Sequence, residues 1–176
     1  STIRSVNISL DTLEEDKFQV LTKRDHFKQV FENMEWLLQN DFSVKVNAVL
    51  IKGINDNEIN DFIELTRYKR LHIRFIEFMP FTDNGWQDDR LVSLQEILDK
   101  ATSKFDVIKL YDEQNATAKK YKAIGCEGTF AVISTMTNPF CDSCNRIRLT
   151  ADGKIKNCLF SKTETDLLSA LRKSEP

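Results

Sequence analysis

The chain lacks the features that mark membrane, secreted and broadly nucleic-acid-binding proteins. It has no apolar run near the roughly 18 residues of a membrane span. Its first residues, STIRSVNISL, contain no signal-peptide core. Lys and Arg total 25 against 27 Asp and Glu, and the resulting net charge of -2 argues against a basic surface over the whole chain. We therefore expect a cytoplasmic protein with no membrane or nucleic-acid partner.

Cysteine is also scarce, with four residues in a chain of 176. In an intracellular chain of this size, so few cysteines indicate metal or redox chemistry rather than a disulfide framework. The chain also has no initiator methionine, and it opens almost directly on a strand-like segment. We expect it to be a piece of a longer protein.

The first half alternates between strand-like and helix-like segments. Alternation of apolar and polar residues predicts three strands, at 5–10, 44–51 and 71–78. Helical spacing predicts two helices, at about 25–39 and 59–68, and Asn55 with Glu58 resembles a capping box for the second. Such an order is typical of crossovers in a parallel sheet. Because a closed barrel needs about eight strands, we expect an α/β fold in which residues 1–80 are the C-terminal strands of an incomplete, TIM-like (β/α) barrel.

Residues 81–176 predict a different, β-rich region. Ser93 and Glu96 form a capping box for a helix ending near residue 103. Short strands are predicted at 106–111, 119–124 and 129–134. Asp152-Gly153 predicts a hairpin within 149–155, and a final helix is predicted at 163–172.

The densest functional signal is NPFCDSCNRIRLTADGKIKNCLF. A hairpin at Asp152-Gly153 would bring Cys158 back beside Cys141 and Cys144, so that three thiolates face one point. Three interpretations follow from the residues. These are ordinary cysteines; they bind structural zinc with a fourth ligand; or they hold a [4Fe–4S] cluster with one iron left open. Candidates for the fourth zinc ligand are Cys126, His26 and His72.

Arg146 and Arg148 follow the close cysteine pair. Arginine offers a planar fork of donors that fits phosphate or carboxylate. On one strand the two side chains would point to the same face. The alternative is that both belong to a solvated strand face.

This stretch, with VNISLDTL, VKVNAVLIKGINDNEI and RFIEFMPF, resembles the radical S-adenosylmethionine GTP 3′,8-cyclases of molybdenum cofactor biosynthesis. The resemblance spans residues 5–171. It implies conversion of GTP to (8S)-3′,8-cyclo-7,8-dihydroguanosine 5′-triphosphate, with a cyclic pyranopterin monophosphate synthase as the pathway partner. It also implies two [4Fe–4S] clusters. One cleaves S-adenosylmethionine to give a 5′-deoxyadenosyl radical, and the C-terminal one holds guanine at its open iron.

The resemblance also implies specific site residues. The cluster ligands are Cys141, Cys144 and Cys158. The residues that bind GTP are Lys45, Arg146 and Arg148, and the two arginines are also the catalytic candidates. The contacts to S-adenosylmethionine are Ser9 and Met79. Neighbours with less support are Asp11, Asn47, Glu77 and Asn145. Cys126 has no counterpart, and we expect it to be a buried free thiol.

The chain departs from that family in having no C-x-x-x-C-x-x-C, no glycine-rich segment for S-adenosylmethionine and no Gly-Gly tail. Because these segments are missing, we expect the chain to be inactive alone. We also expect it to self-associate, with a homodimer as one outcome, because strand edges would be exposed. A zinc-stabilised nucleotide- or RNA-binding module, using the arginines and the KKYK run, is an alternative function. Another radical enzyme with an auxiliary cluster is a third, although the R-x-R favours a nucleotide substrate.

Overall fold

The structure is a computed structural model that describes residues 3–81 and 84–173. It contains two compact units, which meet in the sequence between Pro139 and Phe140. The predicted division at residues 80/81, between barrel strands and a β-rich C-terminal region, stays a prediction. Within the described ranges, no helix is both long enough and apolar enough to cross a membrane.

The first unit is a mixed α/β layer. Its strands are β1 (Ser5–Ser9), β2 (Ser43–Leu50), β3 (Leu71–Glu77), β4 (Val107–Lys109), β5 (Lys119–Ala123) and β6 (Thr129–Ile133). Its α-helices are α1 (Glu15–Thr22), α2 (Phe27–Gln39), α3 (Ile59–Glu64) and α4 (Leu94–Thr102). The strands form one sheet in the order β1-β2-β3-β6-β5-β4. β1, β2, β3 and β6 are parallel, while β5 and β4 extend the sheet in antiparallel fashion. The α/β class with a mainly parallel sheet is as the sequence predicts.

The core lies on one face of this sheet. Alternation in β2 and β3 turns most of their apolar side chains to that face, namely Val44, Val46, Ala48, Leu50, Leu71, Ile73 and Phe75. Helices α2, α3 and α4 contribute Met34, Phe62 and Ile97, all fully buried, to the same core. Burying each such side chain stabilises the fold by about 1.5–3 kcal/mol. Since these helices pack on one face, the polar residues that alternate with the core point to the other.

One predicted capping box is confirmed and the other is wrong. The Ser93 hydroxyl accepts a hydrogen bond from the Glu96 amide, and the Glu96 carboxylate accepts one from the Ser93 amide at 2.8 Å. The Asn55 side chain instead accepts a hydrogen bond from the Ile51 amide at 2.7 Å. Glu58 is buried and accepts hydrogen bonds from the loop after β1. Tertiary donors therefore outcompete the local capping pattern there.

Helix α1 lies between the first predicted strand and the first predicted helix, where no helix was predicted. Phe18 is its buried residue, whereas Val20 is 77% exposed, so the apolar periodicity is weak. Strand β4 is shorter than predicted, with three residues, and lies at the sheet edge.

The second unit is a small antiparallel sheet with one helix. It contains β7 (Arg148–Leu149), β8 (Lys154–Lys156), β9 (Thr165–Asp166) and α5 (Leu167–Lys173). The predicted hairpin is confirmed, with Gly153 at φ +77° in the turn. The final helix begins later than predicted because Thr165 and Asp166 pair with β8. The Gly153 carbonyl then accepts hydrogen bonds from the first two amides of α5, at 3.2 and 2.9 Å.

Candidate functional site

The sheet face opposite the core is polar and cationic. Strand register sets side chains of neighbouring strands beside one another in two rows. The first row consists of Asn7, Lys45, His72 and Thr129. The second consists of Ser9, Asn47, Arg74, Ala131 and Lys120. These rows contain cations and neutral groups and no carboxylate, so they favour an anionic ligand.

Arg74 is the most constrained cation of this face. Its Nη2 donates to Asn7 Oδ1 at 2.6 Å, while its Nε is buried and has no hydrogen-bond partner among the residues that the structure describes. Burial lowers the pKa of Arg74. The neighbouring Asn47 Oδ1 is likewise buried, and no described residue donates a hydrogen bond to it. Within the described residues, neither Arg74 nor Lys45 forms an ion pair, so both retain charge that an anion can neutralise.

His72 pairs with Lys45 of β2 and lies two residues before Arg74 on the same face of β3. Its Nδ1 is 2.7 Å from Thr129 Oγ1. Burial, and then the charges of Arg74, Lys45 and Lys120, lower the pKa of His72 to about 4. The imidazole is therefore neutral near pH 7, and the electrostatic field of the face is positive.

A cavity of about 270 Å³ opens at the carboxyl ends of β2 and β3. Met79, predicted to contact S-adenosylmethionine, lines it together with Asp11, Glu77 and several apolar side chains. Burial raises the pKa of Asp11, against the effect of the hydrogen bond from the Val49 amide. The other predicted contact, Ser9, is exposed in the second row of the polar face rather than among the cavity-lining residues.

Asn55 joins the loops that surround this cavity. Its Nδ2 donates to the carbonyl oxygens of Asp11 and Val49, at 2.6 and 2.8 Å. Asp11 Oδ1 in turn accepts from the Val49 amide at 2.8 Å. The carboxyl ends of β1 and β2 are therefore held together by side-chain hydrogen bonds in addition to the sheet.

The three motif cysteines lie in the second unit and are exposed free thiols. The Cys144 amide donates to the Cys141 carbonyl at 3.1 Å, which closes a tight turn between the two. Cys158 follows strand β8 of the hairpin. Among the described residues, no three His, Cys, Asp or Glu side chains are arranged as a metal site, so the predicted convergence of three thiolates is not formed.

Arg146 is in direct contact with Cys144, the second cysteine of the close pair. Its Nη2 donates to Cys144 Sγ at 3.5 Å, and its guanidinium lies 5.0 Å from the Phe140 ring centre. Hydrogen bonds from the Arg146 backbone and side chain lower the pKa of Cys144, and the charges of Arg146 and Arg148 add to this effect. Strand β7 begins at Arg148, so the strand alternation invoked for the two arginines does not extend to Arg146.

Cys126 is separate from these three in the fold. It is 5% exposed and lies in the turn between β5 and β6 of the first unit, as a free thiol. Its burial agrees with the prediction for this residue. Of the two histidines that were the alternative candidates for the fourth zinc ligand, His72 instead contacts Thr129.

Arg74 and His72 were not singled out as functional partners of Lys45 by the sequence. The available signal was the alternation in LHIRFIEF, which places both out of phase with the buried residues of β3. That pattern does not reveal which residues of β2 lie beside them. Strand register supplies that information.

The chain is similar to known proteins over its whole length. A sequence model of the Radical SAM superfamily matches residues 1–66, and one for Molybdenum Cofactor Synthesis C matches residues 71–176. Relatives include molybdenum cofactor biosynthesis protein 1 of Dictyostelium discoideum, 43% identical over 97% of this chain and 28% of that protein. The mitochondrial GTP 3′,8-cyclase of Arabidopsis thaliana is 45% identical over 96% of this chain and 44% of its own length. The GTP 3′,8-cyclase of Syntrophomonas wolfei is 42% identical over 97% and 53%. The chain thus spans about half, or less, of the relatives it matches.

Proposed function

The chain belongs to the Molybdenum Cofactor Synthesis C family, and we propose that it is the C-terminal part of a radical S-adenosylmethionine GTP 3′,8-cyclase. The observation that carries this proposal is the sequence identity of 42–45% to two proteins of that name, over 96–97% of the chain. The reaction would convert GTP to its 3′,8-cyclised triphosphate. A cyclic pyranopterin monophosphate synthase would then consume that product.

The polar sheet face would bind the triphosphate of GTP. Lys45 and Arg74 supply two cations without ion-pair partners among the described residues, and Arg74 Nε is a buried donor that lacks an acceptor. A phosphate oxygen would satisfy that donor and offset the burial of the guanidinium. Lys45 is the residue that the family resemblance assigns to GTP.

The second unit would hold the [4Fe–4S] cluster through Cys141, Cys144 and Cys158. The donor type supports this assignment, because three exposed thiols without disulfides occur within one small unit, and thiolates are the usual ligands of such clusters. When bound, the cluster would offer an open iron to the guanine base. The role of Arg146 and Arg148 would be to bind GTP beside it, through the guanidinium donors that fit phosphate.

The cavity at the carboxyl ends of β2 and β3 would receive S-adenosylmethionine. Met79 lines this cavity, and its apolar walls suit a thioether or an adenine ring. Ser9, next to Asn47 by strand register, lies on the polar face and not among the residues that line this cavity, and its contact with the cofactor stays a prediction of the family resemblance. The cluster that cleaves this cofactor would be held by a part of the enzyme outside this chain.

The parallel strands would belong to an incomplete (β/α) barrel. β1 is an edge strand within the described sheet, with β2 on one side, and a barrel requires further strands beside it. The lack of activity of this chain alone, a homodimer and a cytoplasmic location remain predictions.

Iron binding tests the cluster assignment. Anaerobic reconstitution with iron and sulfide should give about four irons per chain. Cys158→Ala should lose them, whereas Cys126→Ala, which alters a buried thiol of the other unit, should retain them. Tight binding of one zinc ion with no cluster would contradict the assignment.

Calorimetry with GTP tests the arginines. Each charge-assisted hydrogen bond contributes about 1.5–3 kcal/mol, so Arg146→Ala and Arg148→Ala should each weaken GTP binding by roughly 10- to 100-fold. Unchanged affinity in the double variant would exclude these two residues from the nucleotide site.

The alternative of RNA binding through the KKYK run receives less support. The run forms β5, in which Tyr121 is buried and stacks on Phe130 with ring centres 5.5 Å apart. Lys119 and Lys120 form ion pairs with Asp112 and Glu113, at 3.8 and 3.4 Å. A basic run that is partly neutralised in this way offers little charge to a phosphate backbone.

A further inference from the structure

Glu77 is a buried carboxylate at the end of β3. Its Oε2 accepts hydrogen bonds from the amides of Met136 and Thr137, at 2.7 and 3.0 Å, and the Thr137 hydroxyl donates to Oε1. Within the part of the chain that the structure describes, no Lys, Arg or His side chain forms an ion pair with it. Three hydrogen-bond donors from two consecutive residues therefore stabilise the buried negative charge of Glu77.

That arrangement couples the charge to the position of the donor segment. A carboxylate without counter-cation is costly to bury unless its oxygens are hydrogen-bonded. If Met136 and Thr137 moved away, the Glu77 carboxylate beside the apolar wall of the cavity would lose the hydrogen bonds that these two residues donate to it. Displacing this segment should therefore cost more free energy than displacing an ordinary surface loop.

Two further contacts stabilise the same segment. The Asn138 amide donates to the Ser134 carbonyl at 3.2 Å, closing a turn. The Leu94 amide, at the start of α4, donates weakly to Thr137 Oγ1 at 3.4 Å. The segment is thus connected to the end of β3 and to the start of α4, both rigid elements of the first unit.

The segment leads directly into the cysteine motif. It follows β6, ends at Pro139 where the first unit ends, and Thr137 is four residues before Cys141. We propose that Glu77 is a positioning residue that holds residues 134–139 in place, and so lowers the entropy that Cys141 and Cys144 lose when a cluster binds. This inference rests on the proposed function, since it assumes that these cysteines are cluster ligands. If the segment before the cysteines is already ordered, fewer residues lose conformational entropy when the cluster binds.

The test uses Glu77→Gln in the full-length protein. The amide keeps the shape of the side chain but replaces an acceptor oxygen with a donor that faces other donors. Glu58→Gln is the matched control, because Glu58 is also buried at 2% exposure but accepts its hydrogen bonds from residues 12, 13 and 17 instead. Thr137→Val is a milder second variant that removes the hydroxyl donor and keeps both backbone amides.

Two measurements are needed. Hydrogen exchange at the amides of Met136 and Thr137 should be about tenfold faster in Glu77→Gln, as expected for loss of a charge-assisted hydrogen bond. Release of iron from the cysteine cluster to a chelator should accelerate by a similar factor, with Cys158→Ala reporting the iron bound elsewhere. Thr137→Val should accelerate hydrogen exchange and iron release by a smaller factor. Glu58→Gln should change neither rate.

The outcomes separate this inference from the proposed function. Unchanged exchange in Glu77→Gln would overturn the positioning role, as would faster exchange with unchanged iron release. Equal effects in the Glu77 and Glu58 variants would also overturn it, because they would indicate general destabilisation. If the unmodified protein holds no iron through its three motif cysteines, the proposed function itself fails, whatever the Glu77 variants do.

Discussion

Replacing Arg74 with methionine should separate ligand binding from folding on the polar sheet face. Among the described parts of the chain, the guanidinium donates a hydrogen bond to Asn7, and its buried Nε has no partner. Burial already disfavours its charge, as the lowered pKa of Arg74 indicates. Methionine has a similar length and no charge. We therefore expect the free energy of unfolding to stay within about 1 kcal/mol of the original, or to rise.

GTP affinity should respond very differently. A charge-assisted hydrogen bond between Arg74 and a phosphate contributes about 1.5–3 kcal/mol. Its loss should weaken GTP binding by about 10- to 100-fold in titration calorimetry. Guanosine, which carries no phosphate, should bind both proteins equally well.

Arg70→Met provides the matched control. Arg70 precedes β3, is exposed, and lies at the amino end of the strand rather than in the rows of the polar face. The Arg70→Met substitution removes the same net charge as Arg74→Met. GTP affinity should change only by the small long-range electrostatic effect of one exposed charge. Equal losses in the two variants, or a loss for guanosine that matches that for GTP, would refute the phosphate-binding role of Arg74.

Three further predictions concern the stability of the first unit. Glu58→Ala leaves Lys17 without its buried partner at 2.6 Å, and urea denaturation should show about 3 kcal/mol of lost stability; an unchanged midpoint would contradict this. Because the pKa of His72 is lowered to about 4 from its ordinary 6.5, the unfolded chain binds the proton more tightly, so stability should fall as the pH is lowered from 6.5 towards 4. His72→Gln should reduce that dependence, and an identical pH profile in both proteins would count against it. Gly128→Ala would place a Cβ 2.2 Å from a backbone oxygen at the start of β3, so a loss of about 3 kcal/mol is expected, and a stable variant would show that the strand can shift.

Local patterns predicted the elements whose side chains satisfy a simple periodicity. β2 and β3 alternate strictly between buried and half-buried residues, and their apolar positions were legible in the sequence. The Ser93–Glu96 capping box was also predictable, because both partners lie within one helical turn. Helix α1 was not predicted, since Phe18 is the buried residue of its eight and gives no repeat to detect.

The Asn55–Glu58 pair shows why local patterns can fail. The spacing is that of a capping box, yet both side chains serve partners on other loops. Buried donors that are distant in the chain offered Glu58 a stronger compensation than its own helix terminus. Such competition is decided by the fold, because its energy depends on which groups are removed from water together.

The sequence by itself determined the α/β class, the family resemblance and the identities of the cysteines and arginines in one short motif. Those features depend on residue types at fixed local spacing, which the chain carries into any environment. Only the tertiary structure decided that His72 lies beside Lys45 and Arg74 beside Asn47, and that the Glu77 carboxylate accepts hydrogen bonds from the segment before Cys141. The register between strands and the hydrogen bonds across 59 and 60 residues come from the packing of the whole sheet, where burial selects one pairing among many.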